Sequence, residues 1–344
     1  MEITEKSESL PLRTRISLAV ISILTDTSCR RDGTVNRRII NFFKYISPAN
    51  KNSVNGVSTF DVVVDPARKL WYRVFVPTSP AAESSVSIPV IVFFHGGGFA
   101  FLSADSKPYD AVCRRFARKI GAVVVSVDYR LTPEHKYPAQ YDDGFDVLRF
   151  LDEENQFNCL PKNVDLSRCF LAGDSAGANL AHHVALRFSK TNFQRLKVIG
   201  LVAIQPFFGG EERTDSELRL SLIVTTKRAD FLWKAFLPEE EAVTGGGRDH
   251  EVINVSGPRA VDLSSVDRFP PVLVVIGGRD PLQDWQRRYY DWLKKNGKEV
   301  ELLEYPTMIH AFYVFPELTE SGQLIDQVKD FVNRRSGSVA IKDD

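Results

Sequence analysis

A Gly-x-Ser-x-Gly pentapeptide, residues 173–177, constrains this chain more than any other feature. It joins an apolar run, Arg168 to Ala172, to a helical pattern over Ala178 to Phe188. A serine between two glycines at such a strand-to-helix switch can occupy a strained turn that lifts its hydroxyl above a sheet. Glycines are needed because a side chain at either position would collide with the adjacent strand or helix. The pentapeptide therefore predicts a strand-turn-helix unit with Ser175 as a candidate nucleophile.

Strand and helix patterns alternate along most of the chain. The predicted strands are Ser58–Val64, Leu70–Val76, Ile88–Phe94, Ala122–Val127, Arg168–Ala172, Val198–Ile204, Pro271–Ile276 and Glu299–Tyr305. The predicted helices between and after them are Tyr141–Leu151, Ala178–Phe188, Trp285–Lys295 and Leu324–Arg334. Such alternation predicts the α/β class, with a mostly parallel central sheet, helices on both faces and antiparallel strands at the start.

Two segments interrupt that alternation. Residues 1–50 predict a helical N-terminal extension, and residues from about 205 to 262 predict an insert with one helix, Asp230 to Phe236. A long insert after a sheet strand, at the edge where sites form, is typical of a cap over a pocket. The expected organisation is an N-terminal lid over 1–50 and one α/β domain over 51–340 that carries the cap.

The extension contains a short apolar segment, Ile16 to Leu24, that is too short to span a bilayer as a helix. Its apolar residues recur at helical spacing: Ile16, Ala19, Val20, Ile23 and Leu24. We expect an amphipathic helix that docks this face on the protein. Acidic residues precede the segment and no small-residue cleavage site follows, which argues against a secretory leader. The expected location is the cytoplasm, with the nucleus as a second possibility.

Composition excludes several classes of partner. Lys plus Arg and Asp plus Glu each number 44, so no field of one sign attracts nucleic acid. Asp142, Asp143 and Asp146 fall at a predicted helix start, where carboxylates favour the helix dipole, and the cysteines have no metal spacing. We therefore predict no metal, no cofactor and no membrane span.

Two residues complete a hydrolytic triad with Ser175 in the order Ser, Asp, His. Asp280 follows the strand Pro271–Ile276, and His310 follows the strand Glu299–Tyr305, so both lie at the edge that presents Ser175. A serine hydroxyl needs a base to remove its proton, and that base needs an acid to hold its tautomer. We predict Ser175 as nucleophile, His310 as base and Asp280 as the residue that orients it.

A glycine-rich loop, His95 to Phe99, follows the strand Ile88–Phe94 and predicts an oxyanion hole. Gly97 and Gly98 are the first candidates for N–H donors, with Gly96 as a further contributor. The N–H of Ala176, at the start of the helix after the nucleophile, is the remaining candidate. His95 is expected to brace the loop. A phosphate cradle would require glycine and lysine spacing that the loop lacks.

These motifs, together with Asp128-Tyr-Arg-Leu-Thr-Pro-Glu134, resemble those of the hormone-sensitive-lipase-like α/β-hydrolases. Within that group the chain is similar to the plant carboxylesterases related to the gibberellin receptor. The most specific matches are Arg31–Arg37, Gly209–Thr214 and Trp233–Pro238, and the resemblance covers nearly the whole chain. It implies the α/β-hydrolase fold, a serine esterase working through an acyl-enzyme, and an N-terminal extension that lies over the pocket as a lid.

The resemblance also leaves a binding protein as the alternative. It implies that the hormone receptor has lost the catalytic histidine, whereas His310 stands at that place here. The resemblance implies that the receptor contacts its hormone in the cap through an Asp-Arg pair and a tyrosine. Arg228, Ala229 and Leu232 stand at those positions here, so the hormone contacts are not reproduced. We predict a carboxylesterase for a small to medium apolar ester, such as an acyl or methyl ester of a terpenoid or alkaloid from plant specialised metabolism. Cleavage of a methyl ester would allow spontaneous decarboxylation. No protein partner is predicted.

Overall fold

The fold is built on one eight-stranded sheet. The computed structural model describes residues 10–78, 87–153 and 160–340. The strands are β1 (Val57–Asp65), β2 (Leu70–Pro77), β3 (Ile88–Phe94), β4 (Val123–Asp128), β5 (Val164–Asp174), β6 (Val198–Ile204), β7 (Val272–Gly277) and β8 (Val300–Tyr305). They are arranged in the order β1-β2-β4-β3-β5-β6-β7-β8. β1, β2 and β4 pair antiparallel, and every pairing from β4 to β8 is parallel, which confirms the predicted sheet.

Helices cover both faces of the sheet because the central strands are apolar on both sides. Along β3, Val90 and Val92 belong to a core formed with α4 (Ala139–Asp152), α5 (Ala176–Ser189) and α9 (Gln283–Lys295). The alternating residues Ile91 and Phe93 belong to a second core formed with α3 (Lys107–Phe116) and α10 (Thr319–Ala340). The predicted helices on both faces are therefore confirmed.

One large element differs from the prediction. α3 was not predicted, although Pro108 in its first turn is a typical helix-start signal. α3 continues into a π-helical turn, Ala117–Gly121, and buries Tyr109, Cys113 and Phe116 against the sheet. Four of its ten residues are charged, and these interrupt the apolar spacing in the sequence.

The insert between β6 and β7 contains three short helices: α6 (Asp215–Arg219), α7 (Thr226–Phe236) and α8 (Glu239–Thr244). A capping box at Thr214 begins α6, where the side chain of Glu217 accepts a hydrogen bond from the N–H of Thr214. Thr225 caps α7 by accepting a hydrogen bond from the N–H of Arg228 at 3.1 Å. These caps explain why the helices begin after threonines.

The N-terminal extension forms α1 (Leu12–Ser28) and α2 (Arg37–Phe43). The prediction of a helix over Ile16–Leu24 is confirmed, but the face expected to dock is wrong. Ile16, Val20 and Ile23 are 55, 48 and 62% exposed. The buried face instead carries Thr14, Leu18 and Ser28, and combines the apolar packing of Leu18 with hydrogen bonds. The Thr14 hydroxyl, for example, donates to the Glu317 carboxylate at 2.6 Å.

Within the described ranges, none of the helices combines the length and the apolar character needed to cross a membrane.

Candidate active site

Ser175 lies in the tight turn between β5 and α5. Its backbone adopts φ 53° and ψ −121°, a strained conformation that is rare for a side-chain-bearing residue. A Cβ at Gly173 would collide with the Gly177 carbonyl, and one at Gly177 would collide with the carbonyl of Phe94. Both glycines of the pentapeptide are therefore required by close backbone approach, as the sequence predicted.

The three predicted triad residues meet in one hydrogen-bonded chain. His310 Nε2 lies 3.0 Å from Ser175 Oγ, and His310 Nδ1 lies 2.7 Å from Asp280 Oδ2. All three side chains are buried. Asp280 follows β7 and His310 follows β8, so the parallel pairing of these strands brings the two residues to the edge where β5 presents Ser175.

Two glutamines that the sequence analysis missed hold the acid. Gln205 and Gln286 donate from Nε2 to Asp280 Oδ2 at 3.0 and 2.8 Å. Gln205 also accepts from the N–H of Ala311 at 2.8 Å, so it links the acid to the loop of His310. Gln205 directly follows β6, at the sheet edge that carries the triad, and this position could have identified it as a site residue from the sequence. Its φ of 45° is a second strained backbone at the site.

Electrostatics prepare His310 to accept a proton. Burial disfavours the charged imidazolium, but the charge and hydrogen bond of Asp280 outweigh burial and raise the pKa of His310 above its usual 6.5. Because Asp280 accepts at Nδ1, the neutral ring keeps its proton there and leaves Nε2 to accept from Ser175.

The glycine loop after β3 provides N–H groups beside the nucleophile turn. The hydrogen bonds formed among the described residues leave the N–H groups of Gly97, Gly98 and Ala176 unused. The N–H of Gly96 differs, because it lies 2.7 Å from the Tyr109 hydroxyl and 2.8 Å from Asp174 Oδ1. Gly96 is therefore corrected from a contributor to the oxyanion hole to an anchor of the loop.

Buried polar side chains brace this loop from below. Asp174 accepts from the Tyr109 hydroxyl at 3.0 Å, and burial raises the pKa of Asp174 to about 6. The ring of His95 stacks on Tyr129 with centroids 4.3 Å apart, and burial lowers the pKa of His95 to about 4. His95 is thus neutral at pH 7 and braces the loop, in agreement with its expected role.

Helix α7 of the insert packs on the same loop. A Cβ at Gly98 would collide with the Leu232 methyl groups, so Leu232 lies directly over this part of the loop. Phe99 stacks on Phe236 with centroids 4.2 Å apart, and Trp233 stacks on Phe207 at 4.0 Å. These four aromatic side chains are buried where the insert meets the loop.

Arg228 joins the insert to the N-terminal extension. Its Nε and Nη2 donate to the two carboxylate oxygens of Asp26 at 2.7 and 2.8 Å. Its Nη1 also donates to Ser22 Oγ at 3.2 Å. Arg228 is buried, and this two-pronged ion pair ties α1 to α7 one turn before Leu232.

The acidic residues near the start of α4 bind arginines. Arg130 forms a two-pronged pair with Asp143, and Arg68 reaches Asp146 at 2.8 Å. Across the described ranges, no three histidine, cysteine or acidic side chains converge as a metal ion would require.

Comparison with known proteins places the chain in a family. The model of the alpha/beta hydrolase fold matches residues 91–314. A gibberellin receptor of Arabidopsis thaliana is 40% identical, with 97% of each chain covered. A carboxylesterase of the same plant is 35% identical, with 81% of this chain and 86% of the relative covered.

Among solved structures, an esterase of Pyrobaculum calidifontis is similar, with a TM-score of 0.68 and 26% identity over 95% of this chain and 94% of the esterase. The carboxylesterase relatives and esterase structures support the prediction of a carboxylic ester hydrolase. The chain belongs to the α/β-hydrolase-fold family, in the hormone-sensitive-lipase-like group that includes the plant gibberellin receptors and the plant carboxylesterases.

Proposed function

We propose that the chain is a serine carboxylesterase that cleaves its ester through an acyl-enzyme on Ser175. The observation that carries the proposal is the continuous chain from Ser175 Oγ to His310, at 3.0 Å, and from His310 to Asp280, at 2.7 Å. This arrangement supplies a nucleophile, a general base and an orienting acid in bonding contact.

In the proposed reaction, His310 Nε2 takes the Ser175 proton as Oγ attacks the ester carbonyl. The negative oxygen of the tetrahedral intermediate binds the N–H groups of Gly97, Gly98 and Ala176, the last at the positive end of α5. His310 then returns the proton to the departing alcohol, and the acyl group stays on Ser175. Water, activated by His310, releases the acid by the same steps in reverse order.

The proposed substrate is a small to medium apolar ester. The aromatic contacts between α7 and the loop and the position of Leu232 over Gly98 support an apolar pocket of restricted height. Acyl and methyl esters of plant specialised metabolites, terpenoids or alkaloids, fit this chemistry, and an acid freed from its methyl ester can lose carbon dioxide without protein assistance. In this proposal residues 1–50 act as the lid, about 205–262 as the cap of the domain 51–340, and the enzyme acts in the cytoplasm.

A hormone receptor is the second candidate, because the gibberellin receptor of Arabidopsis thaliana is 40% identical to this chain. The complete triad supports the enzyme instead. The test is hydrolysis of p-nitrophenyl esters of graded chain length, followed by plant methyl esters, with fluorophosphonate labelling of the nucleophile. We expect many turnovers per chain and a covalent label that Ser175→Ala removes. Gibberellin binding without turnover of any ester would favour the receptor.

A further inference from the structure

The N-terminal extension carries more than half of the exposed large hydrophobic residues of the described chain. Nine of the fifteen lie between Leu12 and Ile46, and the most exposed of the nine is Phe42. Five of the nine lie on α1. Four of these five, Leu12, Ile16, Val20 and Ile23, recur at spacings of four, four and three residues and are called the outer stripe. That spacing keeps the four side chains on one side of the helix.

The stripe cannot turn inward without breaking polar contacts. The opposite side of α1 is fixed by the hydrogen bond from Thr14 to Glu317 at 2.6 Å. The ion pair between Arg228 and Asp26 holds a flank of the helix at its C-terminal end. Leu18, on that same inner side, belongs to the core with α3 and α10. α1 therefore presents its apolar stripe to solvent while its inner side is anchored to the protein.

Positive charge flanks the stripe. Arg13 follows Leu12 and Arg15 precedes Ile16, so a turn of 3.6 residues places the two exposed arginines on opposite sides of the stripe. Residues 1–50 carry eight arginines and lysines against five acids, although the whole chain is balanced. Exposed apolar side chains flanked by cations favour an anionic lipid surface, because apolar burial and attraction to lipid phosphates act at the same place.

We propose that the outer stripe of α1 docks on an anionic phospholipid surface, with Leu12, Ile16, Val20 and Ile23 in the headgroup region. Arg13 and Arg15 then meet lipid phosphates and carboxylates on either side. Docking through the outer stripe does not require α1 to unfold or to leave the protein. It also does not depend on the proposed ester hydrolysis.

The test is sedimentation of the full chain with vesicles. One set contains phosphatidylcholine alone, and the other contains phosphatidylcholine mixed with phosphatidylserine. We expect binding to the mixed vesicles, weakened by salt because exposed charges are screened. Equal binding to both vesicle types, or none to the mixed ones in low salt, would overturn the proposal.

Variants separate the apolar and ionic contributions. Ile16→Ser with Ile23→Ser should lower vesicle affinity by at least about tenfold, because two partly inserted side chains are lost. Arg13→Gln and Arg15→Gln should each lower affinity about fivefold and reduce the salt dependence. Val243→Ser is the matched control, since Val243 is 83% exposed on α8 and outside the extension; it should bind like the natural protein.

Each variant is checked for an unchanged unfolding temperature, because all five side chains are exposed. Equal binding by the double isoleucine variant and the Val243 control would overturn the proposal. A stripe-dependent dimer measured by light scattering, without vesicle binding, would assign the surface to a second copy of the chain instead.

Discussion

The sheet edge that carries the triad and the N-terminal extension differ in where they place polar and apolar side chains. At the edge, buried polar atoms are paired with one another, as Asp280 is with two glutamines and His310. In the extension, polar groups hold α1 to the protein while apolar side chains face solvent. The contrast shows that apolar periodicity predicts a helix. Which face of that helix is buried depends on the residues of the protein that it contacts.

The contrast also separates two kinds of effect. If the edge performs the chemistry, changes there should lower turnover for every ester. If the extension and α7 control access, changes there should alter the discrimination between small and bulky esters and spare the chemistry. The following predictions test this division, from the largest expected effect to the smallest.

Ser175→Ala should lower kcat/KM by about 10⁴-fold or more, because the acyl-enzyme can no longer form. The measurement is p-nitrophenyl acetate hydrolysis beside a circular dichroism melt. Near-native turnover by a folded Ser175→Ala protein would show that Ser175 is not the nucleophile.

His310→Ala should be about as damaging as Ser175→Ala, and the double variant little worse than either, because the residues act as a unit. The four proteins are compared in one kinetic cycle with the same ester. Losses that add in the double variant would show that His310 acts on substrate independently of Ser175.

Activity should rise with pH through the ionisation of His310. Because Asp280 raises the pKa of His310 above 6.5, the neutral base forms at a higher pH than in a free histidine. Below that pKa, kcat/KM should fall about tenfold per pH unit. Asp280→Asn should shift the low-pH decline of kcat/KM to lower pH and reduce its maximum value. An unchanged low-pH decline would show that Asp280 does not set the pKa of His310.

Gln205→Leu should lower kcat by roughly tenfold and stability by about 1–3 kcal/mol, because buried partners lose their hydrogen bonds. Gln286→Leu is the matched control, since Gln286 also donates to Asp280, at 2.8 Å, but among the described residues forms no hydrogen bond to the His310 loop. Equal kcat losses in the two variants would show that the link from Gln205 to Ala311 contributes nothing.

Arg228→Met should change KM for a bulky apolar ester by a few-fold and leave p-nitrophenyl acetate hydrolysis almost unchanged, because losing the Asp26 pair loosens α1 on α7. A partly buried charged hydrogen bond contributes about 1.5–3 kcal/mol to stability. Only part of that free energy should affect the difference in binding between small and bulky esters. Arg219→Met is the control, because the Arg219–Asp215 pair is exposed on both sides. Equal effects from both variants would disconnect the extension from the pocket.

Much of the edge was predictable because its determinants are local in sequence. The pentapeptide requires its own turn, and the ends of parallel strands necessarily share one edge, so Ser175, Asp280 and His310 converge. Gly96 was misassigned because its N–H is taken by Asp174 and Tyr109, and Tyr109 lies on a helix that was not predicted. The docking face of α1 was misassigned because its partners, Glu317 and Arg228, lie some 200 to 300 residues away.

The position of β8 at the end of the sheet has a consequence for how activity is lost. β8 pairs on one side only, with β7, and most of its residues are only partly buried, yet the loop that follows it carries His310. Strands with one neighbour open at lower free energy than central strands. We expect the general base to separate from Ser175 in such an opening while the central sheet stays folded. Ester hydrolysis should therefore decline at lower urea concentrations than circular dichroism does, and coincident curves would show that β8 unfolds only with the whole domain.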